Sequence, residues 1–382
     1  MEMVQKNKFQ CTGCGVCRYK CPKDAITMSR DDEGFLYPFI DTKQCIKCNL
    51  CREICPNHNV VNEYESKVYA VKNKNDDIRK KSTSGGLFTV LSNSFIKNLD
   101  VVCGCVLDEE LNPVHIVTNV PEQRDSMRDS KYVQSDIHDI FPVIEPFLNA
   151  GKKVLFTGTP CQTAAVLKAF ENHKNISCLY TCDIVCHGVP SPQIFKEHVA
   201  YLEKKHHSKI LGAKFRAKEL GWGKSNKRMI KFYTDKGVLY DELFYKLYFN
   251  FNIISRPSCE HCQFASLHRN SDFTIGDFWG IEKFYPDFYD ELGVSLMLVN
   301  TEKGERLMNE IKDELNIKVS TKEYCVKENP RLETPPIFDK RRAKLFDDYK
   351  KHGYPYIVKN YITPSIFTRI KKKFITKLKG VH

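Results

Sequence analysis

The sequence predicts a mixed α/β (α+β) body behind a small cysteine-rich module, and three observations carry that prediction. From about residue 66 onward, strand-like apolar runs alternate with helical stretches. A four-cysteine pattern occurs twice before residue 56. The chain has 382 residues, 42% apolar and 28% charged, which allows two or three domains with an ample core and excludes a disordered or fibrous chain.

Charge and cysteine usage narrow the function classes. Of the net +12, residues 340–382 supply +11 from 13 Lys/Arg and two Asp; the other 46 basic and 45 acidic residues nearly cancel. Basicity confined to a tail argues against nucleic-acid binding. No apolar run approaches the ~18 residues that span a bilayer. The start, Met1-Glu2-Met3-Val4-Gln5-Lys6-Asn7-Lys8, lacks the apolar stretch of an export signal, so a cytoplasmic protein is expected. In a reducing compartment, 17 cysteines with eight of them before residue 56 read as metal ligands rather than disulfides.

In chain order, the first elements are the repeats. Cys11-x2-Cys14-x2-Cys17-x3-Cys21-Pro22 recurs 34 residues later as Cys45-x2-Cys48-x2-Cys51-x3-Cys55-Pro56, an internal duplication. Three thiolates at every third residue wrap one face of a cubane, and the fourth, before proline, reaches the other cluster. Cys11, Cys14, Cys17 and Cys55 are thus assigned to one 4Fe-4S centre, and Cys45, Cys48, Cys51 and Cys21 to a second. Cys-x2-Cys pairs also suit zinc, but two interlocked quartets with trailing Cys-Pro fit cubanes better. Short strands are expected at Ala25–Met28 and Phe35–Ile40, around the Asp31–Gly34 turn. Val16, Ala25, Ile26, Ile46 and Ile54 are expected to keep water from the clusters. The module, residues 1–60, resembles a dicluster ferredoxin, which passes single electrons.

A polar linker leads to the body. Strands are expected at 68–71, 101–107, 114–118, 153–157 and 179–185, and helices at 87–96, 137–149, 161–170 and 191–204. The alternation predicts a partly parallel sheet. Gly158-Thr159-Pro160-Cys161-Gln162 and Cys186-His187-Gly188-Val189-Pro190 each close a strand, where open sheets place ligands. With Cys259-x2-Cys262, Cys161 and Cys186 make four thiolates from distant segments. On spacing alone this quartet suits a third cluster, a zinc ion or unrelated buried thiols. The remaining cysteines, Cys103, Cys105, Cys178, Cys182 and Cys325, read as buried structure.

Taken in order, Ser84-Gly85-Gly86, Gly158 to Gln162, Cys186-His187-Gly188, Cys259-x2-Cys262 and Asp272 to Gly280 resemble the coenzyme F420 hydrogenase/dehydrogenase beta-subunit family, from about residue 66 to 330. The resemblance implies one FAD and a 4Fe-4S cluster on this body, with Cys161, Cys186, Cys259 and Cys262 at the cluster. It puts Ser84, Gly85, Gly86, Lys131, Tyr132 and Ser135 in flavin-contacting loops. It implies hydride exchange with the deazaflavin coenzyme F420, or reduction of another substrate with electrons from ferredoxin. The Cys-His-Gly-Val-Pro and Asp-Phe-Trp-Gly versions look more like bacterial relatives, which weakens coenzyme F420 as donor and leaves flavin and clusters in place. The expected organisation is 1–60 dicluster module, 66–150 and 151–330 the two parts of the flavin body, the second with the third cluster and substrate site, and 331–382 a basic tail.

The chemistry agrees with that set of cofactors, because clusters move one electron and a flavin links them to two-electron substrates. No Gly-x-Gly-x-x-Gly follows a strand, so a Rossmann grip is excluded; Gly85-Gly86 before a helix can bring backbone amides to a pyrophosphate, although such a pair alone is usually only a turn. Gly223-Lys224-Ser225 lacks the opening glycine of a phosphate loop. His187 reads as a loop histidine bonded to backbone, with proton donation to a substrate as the sharper alternative. Trp279 is expected in an aromatic wall near the ligand. The basic stretch from Lys214 to Lys231, with its turn at Asp235-Lys236-Gly237, reads as solvated. Ile366, Ile370, Phe374 and Leu378 recur every fourth residue among lysines, which reads either as a basic amphipathic helix able to lie on the anionic inner membrane face or bind an acidic protein, or as a solvated, frayed terminus. The expected function is an FAD-dependent iron–sulfur oxidoreductase linked to ferredoxin or coenzyme F420, acting on a small or lipid-linked substrate. The alternative is a non-catalytic electron-transfer subunit of a larger redox complex.

Overall fold

The structure is a computed structural model in which residues 2–4, 7–58, 64–223 and 228–362 are described. The expected amphipathic helix at 366–378, and Lys224 and Ser225 of the rejected phosphate loop, lie outside the described residues. At the amino terminus, β1 (Glu2–Met3), β2 (Ile26–Arg30) and β3 (Leu36–Ile40) pair antiparallel in the order β1-β3-β2. Their turn forms at Asp31–Gly34, where the Asp31 carboxylate accepts from the Glu33 and Phe35 amides and Gly34 takes φ 85°.

The body strands are β4 (Lys67–Asn73), β5 (Val101–Leu107), β6 (Pro113–Thr118), β7 (Val154–Gly158), β8 (Leu179–Ile184), β9 (Ile210–Lys214), β10 (Ile230–Thr234), β11 (Gly237–Asp241), β12 (Phe273–Asp277), β13 (Ser295–Val299) and β14 (Leu315–Ser320). Eight of them form one sheet in the order β14-β4-β13-β12-β8-β7-β5-β6, and β11-β10-β9 form a separate antiparallel sheet. The middle four strands, β12, β8, β7 and β5, run parallel and their flanks antiparallel, the mixed architecture the alternation predicts. All five residues of β13 are buried, as a strand covered on both faces requires. The carboxyl ends of β7, β8 and β12 share one edge, which sets Cys161, Cys186 and Asp277 side by side in the topology.

The small module is built into the body rather than tethered to it. Val16, Cys17, Ile26 and Ile54 share an apolar core with Phe141, Ile144, Ala165 and Phe170. Tyr19 stacks on Phe141 with ring centroids 5.1 Å apart. A second tie comes from the basic carboxyl-terminal region, whose described part packs on the body: Arg342 pairs with both carboxylate oxygens of Glu33 and donates to the Ser255 carbonyl at 2.9 Å. No helix among the described residues is long and apolar enough to cross a membrane.

Several sequence expectations need correction. The helix expected from Ile137 starts at Phe141, because Pro142 suits a first turn that needs no amide donor, and Ile137–Ile140 forms a separate turn. Ile46 is 58% exposed, at the rim of the cavity it lines with Cys21, Cys45, Cys48 and Cys51, so it is not the buried shield that Val16, Ala25, Ile26 and Ile54 are. Cys103, Cys182 and Cys325 are buried, but Cys105 and Cys178 are only partly so, Cys178 lying in a single turn before β8. The basic stretch is not uniformly solvated, since Trp222 and Phe232 are buried and Arg216 and Lys218 turn inward.

Candidate functional site

Thiols within each of the first two expected quartets act on one another electrostatically. Burial pushes the Cys14 thiol up to about 12, and Cys55 and Cys11 raise it further. Burial also lifts Cys17 well above the usual range, with Cys14, Cys11 and Cys55 adding to it. In the second set burial raises Cys51, and Cys21, Cys45 and Cys48 are the thiols acting on it. Each trailing cysteine thus faces the other repeat's loop.

The third quartet converges from three segments. Cys161 follows β7 on the first turn of the helix Pro160–Phe170, whose capping box joins Thr159 and Gln162. Cys186 follows β8, and Cys259 and Cys262 lie in and just after the turn Pro257–His261. Burial pushes Cys161 and Cys259 up to about 12, each with Cys262 as the next contributor. Cys186 is raised well above the usual range by burial and then by Cys259, Cys161 and Cys262. Such thiols ionise only in exchange for a strong cationic core, so the donor sets suit metal clusters. Among the described residues no group of three or more His, Cys, Asp or Glu has the arrangement for one metal ion. The exchange of trailing cysteines between the repeats favours cubanes over separate zinc ions.

Arg256 joins the first and third sets. It is 1% exposed. Its Nε donates to the Cys11 carbonyl at 2.8 Å, Nη2 to the Leu36 carbonyl at 2.8 Å and Nη1 to Gln134 Oε1 at 3.0 Å. The guanidinium lies 4.3 Å from the Tyr37 ring centroid, and the Arg256 carbonyl accepts from the Cys259 amide at 3.0 Å. One side chain thus ties the loop of Cys11 to the loop of Cys259. A cleft of about 470 Å³ opens there, lined by Phe9 and Thr12 from the module and by Cys161, Cys259 and Cys262 from the body. Sequence reasoning missed Arg256, since a single arginine before proline belongs to no motif.

The two cluster loops take the same backbone path with different residues. Gly13 and Gly15 have φ 73° and 76°; their counterparts Lys47 and Asn49 have φ 59° and 61°. A Cβ on Gly13 would stand 2.8 Å from Arg256 Nη1, and one on Gly15 2.5 Å from His138 Cβ. The first loop needs glycine because the body lies against it.

The residues expected at a flavin are spread along the same sheet edge. Ser84 Oγ donates to the Val294 carbonyl at 2.9 Å, and the Gly85 amide donates to Ser295 Oγ at 2.9 Å. A Cβ on Gly85 would meet the Val71 carbonyl at 2.6 Å, so close packing on the sheet explains that glycine without a ligand. Gly86, φ 81°, precedes the helix Leu87–Ile96 and faces Asn73. Lys131 donates to the carbonyls of Ser126 and Arg128, and burial lowers its pKa. Ser135 belongs to the cluster side, where Gln162 Nε2 donates to its Oγ at 3.0 Å. Tyr132 packs against Phe215, Tyr245, Tyr248 and Phe249.

What links these loops is Arg216, Lys218 and Trp222, which belong to no motif, together with Asp277 of the Asp-Phe-Trp-Gly segment. Arg216 Nη1 donates to Tyr132 Oη at 3.2 Å and pairs with Asp277 at 3.0 Å. Lys218 donates to the Ser84 carbonyl at 3.0 Å, and burial lowers its pKa to about 8. Asp277 Oδ1 accepts from Trp222 Nε1 at 2.6 Å, and Trp222 stacks on Trp279 at 5.4 Å. Burial takes His187 down to about 4, helped by Arg331, so it is neutral at physiological pH. Buried cations beside stacked indoles suit a phosphate-bearing aromatic cofactor.

Residues 151–324 match the family described as the C terminus of the coenzyme F420 hydrogenase/dehydrogenase beta subunit, and residues 10–61 match the 4Fe-4S dicluster domain. Over residues 151–324 the chain is thus similar to this beta-subunit family, with a dicluster domain in front. No curated protein matches it. Among solved structures, a chain of the F420-reducing [NiFe] hydrogenase complex from Methanosarcina barkeri is similar at a TM-score of 0.50 and 17% identity, covering 76% of this chain and 94% of that one. That likeness concerns the fold. The two matches together support an iron–sulfur electron-transfer protein related to that beta subunit.

Proposed function

We propose that the chain is an FAD-dependent iron–sulfur oxidoreductase that exchanges single electrons with ferredoxin, or a hydride with reduced coenzyme F420, and acts on a small or lipid-linked substrate. What supports this reading is that thiols of each proposed quartet act electrostatically on one another, and that Arg256 ties the loop of Cys11 to the loop of Cys259. Cys11, Cys14, Cys17 and Cys55 would hold one 4Fe-4S cluster, Cys45, Cys48, Cys51 and Cys21 a second, and Cys161, Cys186, Cys259 and Cys262 a third. Ser84, Gly85, Gly86, Lys131, Tyr132 and Ser135, with Arg216 and Lys218, would hold the flavin. When bound, a flavin exchanges electrons singly or in pairs, which matches clusters to two-electron chemistry. Arg216 and Lys218 supply positive charge at the strand edge, and Asp277 holds Arg216 and Trp222 in place. His187, neutral and buried, can donate or accept one hydrogen bond there without adding charge.

Iron and flavin assays on anaerobically purified protein test the reading. About twelve irons and one flavin per chain are expected, and Cys161→Ser is expected to remove about four irons and leave the module's complement. Eight irons without flavin would favour the second reading, an electron-transfer subunit whose partner performs the chemistry. The observation favouring that alternative is the fold's likeness to a chain of a multi-subunit hydrogenase complex.

A further inference from the structure

The second cluster loop meets water. From Thr42 to Asn49 every residue except Cys45 is exposed, whereas none from Cys11 to Cys17 is. Cys48 is the one exposed thiol of the twelve proposed ligands. Ile46, 58% exposed, stands beside it on the rim of a cavity shared with Lys23, Cys21 and Cys51. Around this apolar point lie Lys23, Lys43, Lys47 and Arg52, all exposed and none in an ion pair among the described residues. Asp24 and Glu53 are the exposed acids nearby in sequence, and Asp41 is engaged by the Lys43 amide, so basic groups prevail. Lys47 holds a left-handed φ of 59°, in the region that Gly13 holds in the first repeat, and it is exposed.

We propose that this face is the docking port for a small acidic one-electron carrier protein, with Ile46 and Cys48 at its centre and Lys23, Lys43, Lys47 and Arg52 as its rim. The proposal rests on the reading of the cysteines as cluster ligands and adds the route: the second repeat is outermost, the first intermediate and the body quartet innermost. An apolar centre ringed by unpaired cations is suited to brief encounters with an acidic surface, where charge accelerates association more than it deepens affinity. In the transfer the carrier loses one electron and this chain gains one, with no atom or proton exchanged.

The test uses the full chain, loaded anaerobically, and a purified acidic [2Fe–2S] ferredoxin in its reduced form. Iron content and the visible spectrum of each variant are measured first; a colourless, iron-free protein would defeat the function proposed above, not the docking face. With clusters present, stopped-flow oxidation of the ferredoxin is expected to be at least ~10-fold slower for the combined Lys43→Glu, Lys47→Glu and Arg52→Glu variant at low salt. The wild-type rate is expected to fall steeply with ionic strength and to converge on that of the variant. Charge reversal at the exposed, distant Lys204 and Lys312 is expected to change the rate less than ~2-fold. An iron-complete triple variant with an unchanged rate, or a wild-type rate indifferent to salt, would overturn the proposal without any appeal to folding. Self-association of the wild type that the triple variant abolishes would overturn it as well, by making the face a contact between two copies.

Discussion

At matching positions of the two repeats the backbone turns left-handed, twice at glycine (Gly13, Gly15) and twice at residues with side chains (Lys47, Asn49). The ligand frame is the same, and what differs is the neighbour. Arg256 and His138 stand within 3 Å of where a Cβ would be in the first loop, while the second loop faces solvent. The cysteine spacing therefore dictates the turn, and the surroundings dictate which residue may occupy it. One duplicated unit has become an internal junction on one side and an outward surface on the other.

The largest break in that comparison is expected from Arg256→Met. It removes a buried cation and leaves the Cys11 and Leu36 carbonyls without their donor. With two buried carbonyls left unpaired at about 1–3 kcal/mol each, we expect this to be the largest loss in thermal or denaturant unfolding, with the first repeat's iron the most readily lost. Gly15→Ala follows, at about 2–3 kcal/mol from left-handed strain and collision with His138. Asn49→Ala, the same change in the open loop, is expected to cost about 1 kcal/mol or less by the same measurement. Lys47→Gly sharpens the contrast from the other direction: relief of strain is expected to stabilise the fold by about 0.5–1 kcal/mol while slowing carrier oxidation.

The smallest effect is a pH dependence at the junction. Donation of a ring hydrogen bond to the Asp136 carboxylate raises the His138 pKa above its ordinary value, burial opposing it. Asp136 is held below its ordinary value, because the His138 bonds outweigh the upward pull of burial. The histidine's contribution is full at pH below its ordinary value and is lost as pH rises through the raised one. The carboxylate's contribution is lost as pH falls through its depressed value. Between about pH 6 and 8 the melting temperature of the wild type is expected to decline, and Asp136→Asn is expected to flatten that decline.

Much of the ligand frame was legible because cluster chemistry imposes a period on the chain: eight cysteines at a constant offset can be paired off without coordinates. Cys161 and Cys186 were legible for another reason, as residues just beyond predicted parallel strands. The strands at Val101–Leu107 and the helix at Leu87–Ile96 appear with the bounds expected, whereas the two prolines within Phe141–Asn149 moved that helix's start. What stayed hidden depends on contacts between remote segments. Nothing local distinguishes Arg256, whose partners lie more than 100 positions away, or Arg216 and Lys218, which look like other basic residues before a hairpin. The exposure of Ile46 was not legible because apolar character alone does not say which repeat faces the body.

Cys17 belongs to the same buried cluster as Phe156 and Phe170, beneath a central strand of the large sheet. On the proposed ligand set, filling the first metal site would complete part of the interior that the module shares with the sheet. A chain lacking that iron is expected to be cleaved faster in limited proteolysis at this seam than the loaded form.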